Sequence, residues 1–186
     1  MPLTVSPTHT DFVIARAVAR HTNPSAERAS EAMTWGADEH VLCAIALGWW
    51  LLARHQPGQR QASTHILLTT LTATLVPHLL KSVFNQERPD RLTLIGHING
   101  VPVSGKSRDA FPSGHAVHVG ALASAASELS PRLRTLAWSI GTALVATRIA
   151  LLAHWTSDVV TGVAIGAGVE RLLRYVTGYG RYPAVR

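Results

Sequence analysis

Residues 147–158 read Thr147-Arg148-Ile-Ala-Leu-Leu-Ala-His154-Trp-Thr-Ser-Asp158 and place polar groups in an otherwise apolar stretch. A charge such as Arg148 is costly in a membrane segment unless it serves a function. His154 and Asp158 are four residues apart, so one helix running through both would bring them to the same face. A carboxylate bonded to one imidazole nitrogen leaves the other as a base or nucleophile. A buried Arg148–Asp158 ion pair is the alternative, but it does not account for His154.

A second polar stretch, Phe111-Pro112-Ser113-Gly114-His115, opens an apolar segment. Proline and serine are ordinary residues at the start of a helix. Gly114 lets the backbone come close to a ligand, and the free N–H groups of a helix start form an anion site that His115 can reach. A plain helix cap, with His115 as its hydrogen-bonded partner, is the alternative.

A third polar stretch, Lys81-Ser-Val-Phe-Asn-Gln-Glu-Arg88-Pro89, ends another apolar segment. Lys81 and Arg88 are seven residues apart, which on a helix returns to nearly the same face. Two cations before a helix-ending proline suit an anion such as phosphate. The alternative is that both side chains extend to a membrane edge from apolar stems.

Five apolar segments organise the chain around these polar stretches. Two of them, 61–80 and 135–157, have the length of about 20 residues that crosses a bilayer, and 41–53, 110–127 and 159–169 are marginal. Small residues recur at the four-residue spacing typical of membrane helix packing, as in Gly162 with Gly166 and Gly120 with Ser124. The predicted fold is all-α, a polytopic membrane bundle of about five or six helices. A soluble helical enzyme is the competing interpretation.

Arginines fall on one side of the predicted crossings if the connection 81–111 faces outward. The opposite side then carries little negative charge, only Glu128 and Glu170, as the positive-inside tendency expects. Its arginines are Arg54, Arg60, Arg132, Arg134, Arg171, Arg174, Arg181 and Arg186. This arrangement places the polar stretches on the extracytoplasmic side.

Composition excludes several classes of protein. The 186 residues are 47% hydrophobic and 15% charged, with a formal net charge of +6. Soluble domains carry roughly 25% charged residues. Lysine and arginine are spread singly between apolar stretches, so we expect no nucleic-acid partner. The one cysteine, Cys43, permits neither an intrachain disulfide nor a cysteine-based zinc site.

We expect one domain over residues 1–186, with an amphipathic N-terminal segment (1–36), a helical core (37–174) and a tail (175–186). Apolar and charged residues alternate around Asn23-Pro24, which predicts two short amphipathic helices. Whether they span the membrane or lie at its interface is left open. Residues 1–10 lack the basic and apolar regions of a secretory signal peptide, so insertion would depend on internal helices.

In order and spacing, the three polar stretches resemble the signature of the type 2 phosphatidic acid phosphatase superfamily. That signature is Lys, six residues, Arg-Pro; then Pro-Ser-Gly-His; then Ser-Arg, five residues, His, three residues, Asp. The resemblance runs from Lys81 to Asp158, extends into 159–166 and covers roughly half the chain. Thr147 stands where the family usually has Ser, and it keeps the hydroxyl. The resemblance implies the all-helical core shared with haloperoxidases.

The resemblance also implies a role for each matching residue. His154 would take the phosphoryl group as a phosphohistidine, and Asp158 would orient and polarise it. His115 would protonate the leaving oxygen and then act as base toward water. The phosphate would be held by Lys81, Arg88, Ser113, Gly114 and Arg148. Neither a metal nor another cofactor is expected.

Within this superfamily, the apolar segments are similar to those of bacterial membrane lipid phosphatases, including undecaprenyl diphosphatases. We therefore expect an inner-membrane enzyme acting on a lipid phosphate: a polyprenyl diphosphate, phosphatidic acid or phosphatidylglycerol phosphate. The alternatives are a soluble acid phosphatase, a vanadate-dependent haloperoxidase-like enzyme, or a non-catalytic membrane protein that binds or transports phospholipid. The sequence leaves the physiological substrate and the oligomeric state open.

Three further features are expected near the site. His118 lies one helical turn beyond His115 and could support it, and Trp155 could contact lipid or belong to an interfacial belt. The long loop 89–111 carries cations that could attract anionic headgroups, although solvated loop charge is the plainer account. These cations are Arg91, Lys106 and Arg108.

Overall fold

The structure, a computed structural model, describes residues 2–90, 94 and 108–180. The remaining residues include most of the long loop and the end of the tail. The expectations for Arg91, Lys106, Arg181 and Arg186 therefore lie outside the described residues.

Seven α-helices make up most of the described chain. They are α1 His9–His21, α2 Pro24–Thr34, α3 Glu39–Ala53, α4 Pro57–Val83, α5 Gly114–Ala126, α6 Pro131–Ala150 and α7 Thr156–Thr177. A 3₁₀ turn, Trp35–Ala37, joins α2 to α3, and two short strands, β1 Leu3–Thr4 and β2 Phe84–Asn85, pair in parallel. The all-α prediction is confirmed, with core helices α3–α7 in place of the five apolar segments.

Side-chain caps set the boundaries of the two N-terminal helices. Thr8 and Asp11 form a capping box at the start of α1. Asn23 then accepts hydrogen bonds from the backbone N–H groups of Ser25 and Ala26, and Pro24 occupies the first turn of α2. The predicted break at Asn23-Pro24 is therefore observed.

Helix α5 lies at the centre of the bundle and packs most closely on α7. A Cβ atom added at Gly120 would collide with the carbonyl oxygen of Val163, and one at Gly166 with that of Val117. One added at Gly162 would lie 2.8 Å from the carbonyl oxygen of Ser113. Glycine thus permits backbone contact between the two helices, and the Gly162–Gly166 pair packs within the chain.

One boundary differs from the sequence prediction. Residues 147–158 do not form a continuous helix, because α6 ends at Ala150 and α7 begins at Thr156. The Arg148 carbonyl accepts the N–H groups of both Ala153 and His154, and Leu152 adopts a left-handed φ of 52°. Neither glycine nor proline marks this reversal, so the apolar pattern alone predicted continuity.

The same division changes the expected membrane-crossing segments. Among helices of the described chain, α4 alone passes on both length and apolar character, with a mean hydropathy of 1.4. The expectation that 135–157 would also pass is wrong, because its last residues form the loop between α6 and α7. Helix α7, in contrast, is longer than the apolar segment 159–169 from which it was predicted.

A buried polar cluster joins the first half of α4 to the last turns of α5 and α7. The Glu170 carboxylate is buried and accepts hydrogen bonds from Ser124 at 2.5 Å and from Arg174 at 2.8 Å. His65 Nε2 lies 3.1 Å from the same carboxylate, and Arg174 also pairs with Glu128. Each buried polar group thus has a partner within the cluster, as burial requires.

The backbone contact between α5 and α7 predicts that replacing glycine by alanine lowers the stability of the protein at one position of α7 and not at another. Gly166→Ala should destabilise the protein by about 1–3 kcal/mol, since its methyl group would overlap the α5 backbone. Gly168→Ala is the matched control, because no atom lies within 4 Å of its added Cβ. Thermal unfolding in detergent should show a lower Tm for the first variant only. Equal Tm values would contradict the packing described.

Candidate active site

The ends of four helices, α3, α4, α5 and α6, meet at one cavity of about 260 Å³. Six of the eight residues marked by the sequence motifs line it, namely Lys81, Arg88, Gly114, His115, Arg148 and His154. The other two, Ser113 and Asp158, are buried, and the Ser113 N–H donates to the Asp158 carbonyl oxygen at 3.4 Å. Residues up to 77 positions apart in sequence are therefore brought to one place.

His154 lies on the loop between α6 and α7, and only 4% of its surface is exposed. Its Nδ1 atom is 2.7 Å from the carbonyl oxygen of Ala110. Since a carbonyl can only accept a hydrogen bond, Nδ1 carries the proton and Nε2 keeps its free electron pair. The ring is therefore set up with one nitrogen anchored and the other nucleophilic.

Burial lowers the pKa of His154 well below its ordinary value. The positive charges of Arg88, Arg148 and Lys81 act in the same direction, and the hydrogen bond to Ala110 opposes them. The imidazole is thus neutral at physiological pH, which is the form that can attack an electrophile.

Asp158 lies behind His154 rather than beside it on one helix. Its Oδ2 atom is 3.8 Å from His154 Nδ1 and accepts a hydrogen bond from the Trp155 N–H at 2.9 Å. The expected direct carboxylate–imidazole bond is therefore replaced by the Ala110 carbonyl. The reason is the end of α6 at Ala150, which removes the i, i+4 geometry. Asp158 instead holds the start of α7 by accepting the Trp155 N–H.

Arg88 and Lys81 reach the cavity from the segment after α4 and from the end of α4. Both pair with Asp109, Arg88 Nη2 at 2.8 Å and Lys81 Nζ at 3.7 Å. Arg88 Nη1 also donates to the Ala153 carbonyl at 3.2 Å, next to the nucleophile candidate. Asp109 thus fixes two cations that would otherwise repel each other, and nothing in the sequence pattern singled it out.

Arg148 reaches the same cavity from the last turn of α6. Its Nη1 donates to the Thr34 hydroxyl at 3.0 Å, and its buried Nε has no hydrogen-bond partner within the described residues. Among those residues it forms no ion pair with Asp158, the alternative that the sequence left open. A guanidinium that lines a cavity and keeps an unused buried donor is suited to bind an oxyanion.

The start of α5 supplies uncharged donors to the same place. Ser113 is its N-cap residue, yet the side chain makes no capping bond and its buried hydroxyl is unpaired within the described chain. Gly114 and His115 follow in the first turn, where backbone N–H groups have no acceptor within the helix. A hydroxyl and a helix N-terminus beside three cations form an anion cradle.

Besides Asp109 and Pro77, three polar residues that the sequence interpretation did not select also line the cavity. They are Asp38 at the start of α3, Glu39 beside it, and His78 on α4. Glu39 Oε1 lies 3.9 Å from His78 Nε2, so this wall carries a carboxylate and an imidazole facing the cations. They belong to no motif, and only the packing of α3 on α4 reveals them.

The structure also places the two residues whose roles were left open. His118 is buried, and its Nε2 is 3.2 Å from the Thr74 hydroxyl on α4. Trp155 is 2% exposed and donates from Nε1 to the Glu87 carbonyl at 2.6 Å. The expectation that Trp155 contacts lipid or forms part of an interfacial belt is therefore wrong.

Comparison with known proteins adds relatives of named activity. The chain is 36% identical over 113 residues to a lipid A 1-phosphatase of Rhizobium johnstonii, covering 60% of this chain and 46% of that protein. It is 35% identical over 113 residues to a lipid A 1-phosphatase of Rhizobium etli, covering 60% and 49%. The chain thus spans about half the length of the curated relatives it matches.

Two solved structures share the fold. Aquifex aeolicus LpxE superposes with a TM-score of 0.73 at 16% identity, covering 93% of this chain and 99% of that one. A transmembrane PAP2-type phosphatidylglycerolphosphate phosphatase from Bacillus subtilis gives 0.67 at 17% identity, covering 95% and 88%. A family model for the PAP2 superfamily matches residues 62–182. The membership predicted from the three motifs is confirmed, and the chain belongs to the PAP2 superfamily.

Proposed function

We propose that this protein is a metal-independent phosphatase that removes phosphate from a membrane lipid through a phosphohistidine on His154. The cavity carries the proposal, since it joins two imidazoles, His154 and His115, to the cations Lys81, Arg88 and Arg148. Phosphoryl transfer needs positioning and charge stabilisation more than any other chemistry. This site supplies both from side chains and a helix N-terminus.

In the first half of the reaction, the Nε2 atom of His154 attacks the phosphorus of the bound lipid phosphate. The N–P bond forms while the P–O bond to the lipid breaks. Arg88, Arg148 and the α5 N-terminus stabilise the negative charge on the non-bridging oxygens. Burial and the charge of Arg148 lower the pKa of His115 to about 4, so it takes up its proton when the phosphate anion binds beside it. It then gives that proton to the departing lipid oxygen, and the lipid leaves as an alcohol or a phosphate.

In the second half, water attacks the phosphorus of the phosphohistidine. His115, now neutral, takes a proton from that water as the N–P bond breaks. Inorganic phosphate leaves and His154 regains its free electron pair. The Nδ1–H bond to the Ala110 carbonyl holds the ring throughout, so the same nitrogen is presented in each cycle.

A membrane location is supported by the outer surface of the bundle. Helix α4 can span a bilayer, and large apolar side chains are exposed on α3, α4, α6 and α7. They include Ile45, Leu52, Leu75, Leu136, Val160 and Leu172. Such a surface marks an interaction site, and lipid tails match its chemistry. We place the protein in the bacterial inner membrane.

The orientation follows from charge. The links between α3 and α4 and between α5 and α6 lie at the end of the bundle away from the cavity. Arg54 lies in the first link, and the first turns of the helices that follow the links carry Arg60, Arg132 and Arg134. If basic links stay in the cytoplasm, the cavity opens on the extracytoplasmic side.

The substrate is a lipid with a terminal phosphate. Polyprenyl diphosphates, phosphatidic acid and phosphatidylglycerol phosphate all meet this requirement. The names of the curated relatives add lipid A 1-phosphate. A cavity of about 260 Å³ admits the phosphate and its immediate attachment, while the lipid tails stay outside.

His154→Ala tests the proposed chemistry in matched detergent micelles containing EDTA. Wild-type protein should release phosphate from at least one of these four lipids, but not from phosphatidylglycerol, which lacks a terminal phosphate. The variant should lose at least about 10³-fold in kcat/KM. His55→Ala, exposed at the far end of the bundle, should keep full activity. Lipid binding without turnover by the wild type would instead indicate a binding or transport protein.

His115→Ala should separate the two halves of the reaction. Loss of the acid slows phosphate release from an alkyl phosphate by about 10²–10⁴-fold. A substrate with a good leaving group, p-nitrophenyl phosphate, needs no such acid for the first half. The phosphorylated enzyme should therefore accumulate with that substrate and be detectable by mass spectrometry on His154. An equal loss on both substrates, with no adduct, would contradict the assignment.

The lowered pKa of His154 gives a signed pH prediction. Activity that needs neutral His154 falls when the ring is protonated, and burial and nearby cations keep that pKa below 6.5. After correction for substrate ionisation, the acid limb of kcat/KM should lie below pH 6.5. Arg88→Gln removes one of those charges and should move the limb to higher pH. A wild-type limb at pH 7 would show that His154 does not set it.

A further inference from the structure

The start of α7 is completed by a residue from the other end of the chain. The N-cap residue of α7 is Trp155, whose side chain cannot accept a hydrogen bond from the first turn. Asp11 of α1 takes that part instead, since its Oδ1 accepts the Ser157 N–H at 2.9 Å. Its Oδ2 accepts the Ser157 hydroxyl at 2.8 Å. The cap of α7 is thus supplied from 146 residues away.

Asp11 is itself held in place. Its Oδ2 also accepts the backbone N–H and the hydroxyl of Thr8, both at 2.8 Å, and only 2% of the residue is exposed. Burial raises the pKa of Asp11, but the hydrogen bonds from Ser157 and Thr8 outweigh it and leave the pKa below its ordinary value. A fixed negative charge therefore faces the positive end of the α7 dipole.

Aromatic packing joins α1 to the same loop. The rings of Phe12 and Trp155 meet edge to face with centroids 5.0 Å apart. Trp155 belongs to a buried cluster with Ala15, Leu152 and Ala110, whose carbonyl anchors His154. Helix α1 thus contacts two parts of the site: the loop between α6 and α7 that carries His154, and Ala110, whose carbonyl holds the His154 ring.

The loop needs this support because its backbone is unfavourable in isolation. Leu152 has a φ of 52°, a left-handed conformation that residues with a side chain keep only when their surroundings enforce it. His154 is two residues away from it. If the loop relaxed, the ring would move relative to the cations that hold the phosphate.

We propose that Asp11 is a positioning residue for catalysis, which holds the loop of His154 in its reactive geometry by capping α7 from α1. This inference rests on the proposed function, because it takes His154 to be the nucleophile. It assigns the amphipathic N-terminal helix a part in the chemistry in addition to any contact with the membrane. Asp11 does not touch the cavity and acts through the loop alone.

Asp11→Ala tests the inference, with Glu31→Gln on the exposed face of α2 as the matched control. In folded protein, kcat should fall about 10- to 100-fold, as a misplacement of about 1 Å can cause. KM should stay within about twofold of wild type, because the cations of the cradle are untouched. The control should keep wild-type kcat and KM.

Coupling to Ser157 separates positioning from plain stabilisation. Ser157→Ala removes the hydroxyl donor but keeps the N–H, so its loss in kcat should be smaller than that of Asp11→Ala. In the double variant the two losses should not add, since both act through one contact. If Asp11→Ala does not fold, Asp11→Asn takes its place. It keeps one acceptor oxygen, so kcat should fall by less than the roughly 10- to 100-fold expected for Asp11→Ala.

Two outcomes would overturn the inference. One is a wild-type kcat in folded Asp11→Ala or Asp11→Asn, even if Tm falls. The other is a rise in KM with kcat unchanged. Measuring His154→Ala in the same assay distinguishes failure of this inference from failure of the proposed function. If His154→Ala is active, the proposed function itself is contradicted. An inactive His154→Ala beside a fully active Asp11→Ala removes this inference alone.

Discussion

The close contact between the backbones of α5 and α7 is the constraint on which the site depends. There is no room for side chains at the positions of Gly120, Gly162 and Gly166, where the two helices cross. This close contact fixes the position of each helix along the axis of the other. Both helices begin at the same level, where Ser113 donates to the carbonyl of Asp158. The start of α5 offers hydrogen-bond donors for phosphate, and the start of α7 follows directly after His154, the nucleophile candidate. The anion cradle and the imidazole therefore face one cavity.

Pairing with anions explains how several cationic side chains can lie close together in the cavity. Lys81, Arg88 and Arg148 share one small space, which is unfavourable unless anions are near. Asp109 compensates two of them, and Arg148 keeps an unpaired buried donor within the described residues. A phosphate would complete this arrangement. Burial keeps His154 neutral, and the charges of Arg88, Arg148 and Lys81 lower its pKa further, so the cations that would bind phosphate also favour the nucleophilic form of the ring.

The sequence predicted the parts of this architecture that are coded locally. Apolar segments and the Asn23-Pro24 break gave the helices, and the three motifs gave the family and six of the cavity residues. What it did not predict depends on contacts between distant segments. Asp109 and Asp11 lack any local signal, since their partners lie far along the chain. The reversal at Leu152 was missed because no glycine or proline marks it, and with it the Ala110 carbonyl was missed as the partner of His154.

A structure of the protein with orthovanadate, whose trigonal bipyramid resembles the transition state of phosphoryl transfer, tests the central claim most directly. The claim is that His154 and His115 act on one phosphate held by the cradle. It predicts vanadium at bonding distance from Nε2 of His154, equatorial oxygens on Arg88, Arg148 and the start of α5, and the apical oxygen next to His115. Vanadate bound away from His154, or bound to Nε2 with His115 out of reach, would contradict the account.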